Sequence, residues 1–281
     1  MPAQGEQKMK REEMLIEAGE LAQKLGDPNL RIFDASITDD VYLLGHIPGA
    51  AYFDHERFSI PDSAYMCAIL PPDELAKQVG AAGISNENEV VVYACGMLPY
   101  AMRAWWVLRY AGHDNARVLN GGLTAWKNAG GNTEQSSRRY EPGVFKGKAR
   151  PEMFVRKEEV LASMENKEVA IVNVLPPVSY EGARIPGSIN VNCMELMQGD
   201  FSQGFEYLLP DDALALRLKD VSQHKRIITY CGGGIAAAVN AAAHLLTGHA
   251  NVAVYDGSMY EWLGEGMPVI GNGNWEVWKM K

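Results

Sequence analysis

Two cysteines, Cys95 and Cys231, each end an apolar run and open a short turn ahead of a helical pattern. The second turn, Cys231-Gly232-Gly233-Gly234-Ile235-Ala236, is the richer in glycine. Glycines let a backbone curl until several N–H groups converge on one centre. The first turn of a following helix adds its positive end. A thiol placed there is favoured as its thiolate, the form that attacks. A hydrogen bond to a charged group is worth ~1.5–3 kcal/mol. Two or three N–H groups between Gly232 and Ala236 would therefore stabilise a thiolate, or an anion built on its sulfur, by several kcal/mol. The plainer reading makes Cys231 a small packed residue before an ordinary turn. Three consecutive glycines followed by a helix favour the chemical one.

The elements that must hold these turns occur twice. Cys95–Trp126 aligns without a gap on Cys231–Trp262 at an offset of 136, with nine identities in 32 positions. Gly45-His46-Ile47-Pro48-Gly49-Ala50 echoes Ala183-Arg184-Ile185-Pro186-Gly187-Ser188 at an offset of 138. The chain is an internal duplication. Short apolar runs predict strands over Arg31–Ala35, Glu89–Ala94 and Ala116–Leu119, then over Val169–Leu175, Arg226–Tyr230 and Asn251–Tyr255. Helical patterns cover Arg11–Lys24, Pro72–Ala82, Ala101–Ala111, Arg156–Asn166, Asp211–Val221 and Ala236–Thr247, with Gly112 and Gly248 placed to cap two of them. Alternating strands and helices imply α/β domains, each a mainly parallel sheet flanked by helices. Lys127–Pro151 is polar and reads as the connection, giving a first domain over residues 1–130, a linker over 131–152 and a second domain over 153–281.

A length of 281 residues suits two domains. The net charge of −9 argues against a nucleic-acid partner. No apolar run reaches the ~20 residues that span a bilayer, and Met1–Glu13 lacks the apolar core of a signal peptide, so a cytoplasmic location without membrane attachment is expected. The four cysteines, at 67, 95, 193 and 231, have no metal-ligand spacing, and no metal or cofactor is expected. In a reducing compartment they are thiols. Cys67 and Cys193, without any glycine turn, are expected to be buried. The six tryptophans and scattered methionines read as packing residues.

Taken together, Gly45–Ala50, Val90–Tyr93, Arg103-Ala104-Trp105-Trp106, Gly112–Asn115, Leu119–Trp126, Cys231–Ala237 and Tyr255-Asp256-Gly257-Ser258 resemble the motifs of tandem-domain rhodanese-type sulfurtransferases, the family of thiosulfate and 3-mercaptopyruvate sulfurtransferases. The resemblance spans roughly residues 30–265. It implies two rhodanese-like domains, the first non-catalytic, and a reaction in which Cys231 takes a sulfur from a small anionic donor as a persulfide. The sulfur then passes to a thiol, a thioredoxin-like protein or cyanide. The backbone of Gly232, Gly233, Gly234, Ile235 and Ala236 would be the anion cradle. The resemblance gives Arg103 a structural or interface role.

The chain departs from that pattern at several points. Asn173-Val174-Leu175 replaces an Asp-x-Arg sequence, and Ser179 stands where a donor-binding arginine is common. Arg184 is the candidate substitute, with His46, its counterpart in the first copy, as a second candidate for substrate binding. The loop carries no Lys or Arg, closer to the mercaptopyruvate type, yet Gly233 replaces that type's serine. Cys95 sits among bulkier neighbours (Met97, Leu98, Pro99 and Tyr100) and reads as a packed residue, with a resolving or relay thiol as the alternative. A phosphatase, which needs Arg six residues after its cysteine to grip phosphate, is disfavoured by Ala237. Two rivals remain: a non-catalytic persulfide-sensing or binding module, and thiolate chemistry on an unusual organosulfur substrate.

Overall fold

The structure, a computed structural model, describes residues 8–276 apart from Met66, Phe201 and Gln203. It holds two units of the same build. In the first, the order is α1 (Arg11–Met14), β1 (Leu15–Ile16), α2 (Ala18–Lys24), β2 (Leu30–Asp34), α3 (Asp39–Leu44), β3 (Ala51–Tyr52), α4 (Pro72–Ala81), β4 (Glu89–Tyr93), α5 (Leu98–Tyr110), β5 (Ala116–Leu119) and α6 (Gly122–Asn128). The second runs β6 (Phe154–Val155), α7 (Lys157–Ser163), β7 (Val169–Asn173), α8 (Pro177–Gly182), β8 (Ala183–Arg184), β9 (Ile189–Asn190), a hairpin of β10 (Met197–Asp200) and β11 (Gly204–Leu208), α9 (Asp211–Leu218), β12 (Arg226–Tyr230), α10 (Ala237–Leu246), β13 (Val252–Tyr255), α11 (Ser258–Gly264) and β14 (Ile270–Gly271).

The two five-stranded sheets have matching orders, β1-β5-β4-β2-β3 and β6-β13-β12-β7-β9, and every pairing within them is parallel. Their central strands are buried on both faces, which is why they read as unbroken apolar runs. In each sheet the cysteine turn leaves the C-terminal end of a central strand, β4 or β12, where crevices form in such folds.

The amphipathic stretch Arg11–Lys24 is not the single helix its pattern suggests. Leu15 and Ile16 are buried and pair in parallel with Val118 and Leu119, so pairing at the sheet edge interrupts the helix. The connecting segment is also less free than its composition implies. Glu134 forms a bridge with His46, the Tyr140 hydroxyl accepts from Ile32 N–H at 2.9 Å and donates to Gly49 O at 2.8 Å, and Gly143 N–H reaches Gly80 O at 2.8 Å. The segment is thus strapped along the first unit.

The units meet through α5 and α10, the helices that follow the two cysteine turns. Every residue of α10 is buried, and its small alanines allow close approach. One hydrophobic core runs through both units, from Met14 and Leu75 to Val254 and Trp275. Arg11 adds a polar tie, donating to the Leu208 and Leu209 carbonyls at 2.9 Å each and pairing with Asp211 at 3.1 Å. No helix among the described residues is long and apolar enough to cross a membrane.

Candidate active site

Cys231 is 3% exposed and directly follows β12. Three carbonyls at this turn are hydrogen-bonded. Cys231 O accepts from Met259 N–H at 3.1 Å, Gly232 O from Tyr260 N–H at 3.0 Å, and Gly234 O from Arg103 at 3.4 Å. Two of its N–H groups, on Cys231 and Gly234, donate to Ser258 Oγ at 3.1 Å each, and that hydroxyl donates to Tyr255 O at 2.8 Å. One proton and two lone pairs are then all used, so Ser258 braces the turn and has no proton left for the sulfur. The N–H groups of Gly232, Gly233, Ile235 and Ala236 have no partner among the described residues. The expected cradle therefore changes at one member, since Gly234 N–H is committed to Ser258. Gly234 has a φ of +77°, and a Cβ there would lie 2.8 Å from Asp256 O and 3.2 Å from Arg103, so only glycine fits.

The first unit closes over this turn. Arg103 on α5 is 2% exposed, pairs with Asp256 Oδ1 at 2.7 Å and donates to Cys67 O at 2.7 Å. Asp256 Oδ2 in turn accepts from Ile69 N–H at 2.6 Å. Arg103 thus ties the segment around Cys67 to the Cys231 turn. Burial, followed by the charge of the Cys231 sulfur, pushes the Cys193 thiol up to about 12. Burial also pushes up Cys67 and Tyr100, and the Cys231 charge is felt at both. A charge on Cys231 is thus felt at Tyr100, Tyr260, Cys67 and Cys193. Cys193 is buried as expected, but Cys67 is only partly so, because it lies at the contact between the units rather than in a core.

The other candidates fall elsewhere. Cys95 is exposed, not packed, and the charges felt at its thiol are those of Glu206, Asp34 and Lys127, not that of Cys231. Its turn is occupied by a residue of the second unit. The β10–β11 hairpin inserts buried Glu206, whose carboxylate accepts from Gly96 N–H, while Phe205 N–H reaches Gly96 O at 2.9 Å. At the position equivalent to Ser258 the first copy has Gly122, with φ values of +48° and +51° respectively. Glu206 thus takes the N–H equivalent to that of Gly232, while the N–H of Cys95 goes to Ser36 Oγ at 2.9 Å, so the two turns are held by different groups.

His46 does not reach Cys231. It is buried, stacked on Tyr42 at 3.8 Å, bonded to Tyr42 O through Nδ1 at 2.9 Å and 3.7 Å from Glu134. Those contacts make it a packing residue under the strap. Arg184 stacks over the Tyr180 ring at 4.8 Å and donates to Tyr180 O at 3.4 Å, on a strand paired with β14. Neither contact brings it to the Cys231 turn.

Ser258 and Asp256 were within reach of sequence reasoning, since they are the positions where the two copies differ around Gly121 and Gly257. Cys67 and Glu206 carry no local signal, because their roles come from contacts across the interface.

The Rhodanese-like domain family matches twice, over residues 17–129 and 156–265. Thiosulfate sulfurtransferase of Bos taurus is 33% identical over 268 residues, covering 88% of this chain and 89% of the bovine one. The 3-mercaptopyruvate sulfurtransferase of Escherichia coli K12 is 30% identical over 263 residues, covering 86% and 92%. The crystal structure of SseA from Escherichia coli, a 3-mercaptopyruvate sulfotransferase, superposes with a TM-score of 0.79 at 28% identity, covering 89% of this chain and 99% of SseA. The anaerobic ergothioneine biosynthesis enzyme from Chlorobium limicola shares the fold at a TM-score of 0.80 and 23% identity, covering 94% and 72%. With two parallel α/β units, a strand-cysteine-turn-helix in each and these relatives over most of its length, the chain belongs to the rhodanese family and is a tandem-domain sulfurtransferase.

Proposed function

We propose that Cys231 is the sulfur-carrying nucleophile. Its thiolate attacks the outer sulfur of a small donor such as 3-mercaptopyruvate or thiosulfate, the donor leaves as pyruvate or sulfite, and the persulfide passes its sulfur to a thiol, a thioredoxin-like protein or cyanide. The observation that carries this reading is the turn itself. Carbonyls of Cys231, Gly232 and Gly234 are occupied, while the N–H groups of Gly232, Gly233, Ile235 and Ala236 have no partner among the described residues, next to a buried cysteine at the start of α10. Such groups stabilise negative charge as it develops, without reorganising. The same geometry weighs against a purely structural second copy. The first copy, with Glu206 already in its turn, is proposed to be non-catalytic, and domain limits near 1–130 and 153–281 fit the two sheets.

One observation favours a second reading of the substrate. The walls near the turn are aromatic: a Cβ on Gly232 would sit 3.0 Å from the Trp275 ring, and Tyr260 packs edge-on to Trp275 at 4.9 Å. Arg103, the guanidinium bonded to the turn, is already neutralised by Asp256. A flat organosulfur compound of low negative charge, of the thione type, suits such walls better than a small dianion.

The test is mass spectrometry after incubation with 3-mercaptopyruvate, thiosulfate or an imidazole-2-thione in turn. One sulfur added to Cys231, abolished in Cys231→Ser and retained in Cys95→Ser, supports the reading. An adduct that survives Cys231→Ser overturns it, and no adduct from any donor points to a binding or sensing module.

A further inference from the structure

One thiol on the segment that Arg103 ties to the Cys231 turn has no part in the reaction just described. Cys67 lies on the stretch that the first unit lays over the Cys231 turn, and two hydrogen bonds fix it there. Arg103 Nη2 donates to Cys67 O at 2.7 Å, while Nη1 of the same guanidinium reaches Gly234 O at 3.4 Å. Two residues on, Ile69 N–H donates to Asp256 Oδ2 at 2.6 Å. Cys67 also has a φ of +60°, a left-handed conformation that a residue with a side chain adopts only at a cost. The charge on each of Cys67 and Cys231 is felt at the same tyrosine, Tyr100. Cys193, the other neighbouring thiol, is buried and held protonated, whereas Cys67 is partly open.

We infer that Cys67 is the resolving thiol of this site, an inference that rests on the Cys231 persulfide. The Cys67 thiolate attacks the inner sulfur of Cys231–S–SH. A Cys67–Cys231 disulfide forms, the bond to the outer sulfur breaks, and that sulfur leaves with the electron pair as hydrosulfide. The proton lost by Cys67 goes to solvent. Two equivalents of an external thiol, or one dithiol, then supply the two electrons that reopen the disulfide. Sulfide is thereby released without a sulfur acceptor, and a chain short of reductant is held closed to further donor. Burial pushes the Cys67 thiol up while Arg103 pulls it down, so resolution accelerates as pH rises toward the thiol's ionisation.

The test uses the full chain, reduced and then freed of reductant, with 3-mercaptopyruvate, thiosulfate or the imidazole-2-thione as donor. The native protein is expected to lose two hydrogens, to yield a cross-linked peptide pair holding Cys67 and Cys231, and to release one sulfide per chain. Cys67→Ser, checked for native melting, is expected to keep the added sulfur on Cys231 and release none until an external thiol is supplied. A native protein that retains the added sulfur without a cross-link overturns the role of Cys67 and leaves the persulfide standing. A cross-link from Cys231 to Cys193 overturns it equally. If neither protein takes up sulfur, the Cys231 reading falls and this one with it. Cys67→Ala serves as the second variant, and a disulfide formed by Cys231 in that background also refutes the assignment.

Discussion

Ser258 offers the sharpest examination of how the Cys231 turn is held. Its hydroxyl accepts the N–H groups of Cys231 and Gly234 and donates to Tyr255 O, all within 3.1 Å, and the residue is fully buried. Ser258→Ala removes the acceptor and strands two buried donors. Each costs ~1–3 kcal/mol when unsatisfied, so the loss of stability is expected at about 2–4 kcal/mol after the turn relaxes. The backbone supplies a control, because the φ of +48° is the left-handed conformation that glycine adopts without penalty. Ser258→Gly loses the same hydroxyl but recovers about 1 kcal/mol of backbone strain, and the first copy already carries Gly122 at this point. Ser258→Gly should therefore be the more stable of the two variants, by about 1 kcal/mol, though both are weaker than the native chain. Urea unfolding followed by tryptophan fluorescence measures the order, and sulfur transfer measured on the same samples should fall in both variants. An alanine variant within about 0.5 kcal/mol of native, or a glycine variant no better than alanine, would refute the account, since ordinary surface changes lie in that range.

Three further outcomes are expected. Arg103→Met leaves the Asp256 carboxylate without its partner at a buried interface, a loss of about 3–5 kcal/mol; adding Asp256→Leu should recover part of it, and additivity within about 0.5 kcal/mol in the double-mutant cycle would show the pair to be uncoupled. Burial, and secondarily the nearby Glu206 charge, push the Cys95 thiol up, so Glu206→Gln should raise its alkylation rate by iodoacetamide about 2–5-fold near neutral pH; an unchanged rate would mean that the carboxylate is not felt there. Burial, with a smaller contribution from His249, holds His244 down at about 3 against an ordinary 6.5. The unfolded chain then binds a proton that the folded one refuses between those limits, so stability is whole above about pH 6.5 and falls by ~1.4 kcal/mol per pH unit below it for this one group. Urea midpoints for His244→Phe should be visibly less sensitive to acidification than those of the native chain.

Much of the architecture was legible before any contact was known. The six central strands follow from apolar runs, because a parallel strand covered on both faces has no polar side to show. The repeat at offsets of 136 and 138 carried the two-unit arrangement, and matching sheet orders follow from it. The misreadings share a cause. Leu15 and Ile16 have helical neighbours and join a sheet only because β5 presents an open edge to them. Gly234 was counted toward the sulfur and instead serves Ser258. His46 and Arg184 hold equivalent places in the two copies, and each is engaged with a tyrosine of its own unit.

The cysteine turns themselves follow the same division. Local order along the chain was enough to propose Cys231, its glycines and the helix behind them as the site, because an N–H cradle would be built from consecutive residues. It was also the ground for proposing Cys231 rather than Cys95. Tertiary contact alone determined that Glu206 fills the Cys95 turn, that Arg103 and Asp256 clamp the two units together, and that the segment around Cys67 is tied through Arg103 to the Cys231 turn. Those pairs are separated by more than a hundred residues, and a hydrogen bond across such a distance leaves no period or spacing in the sequence.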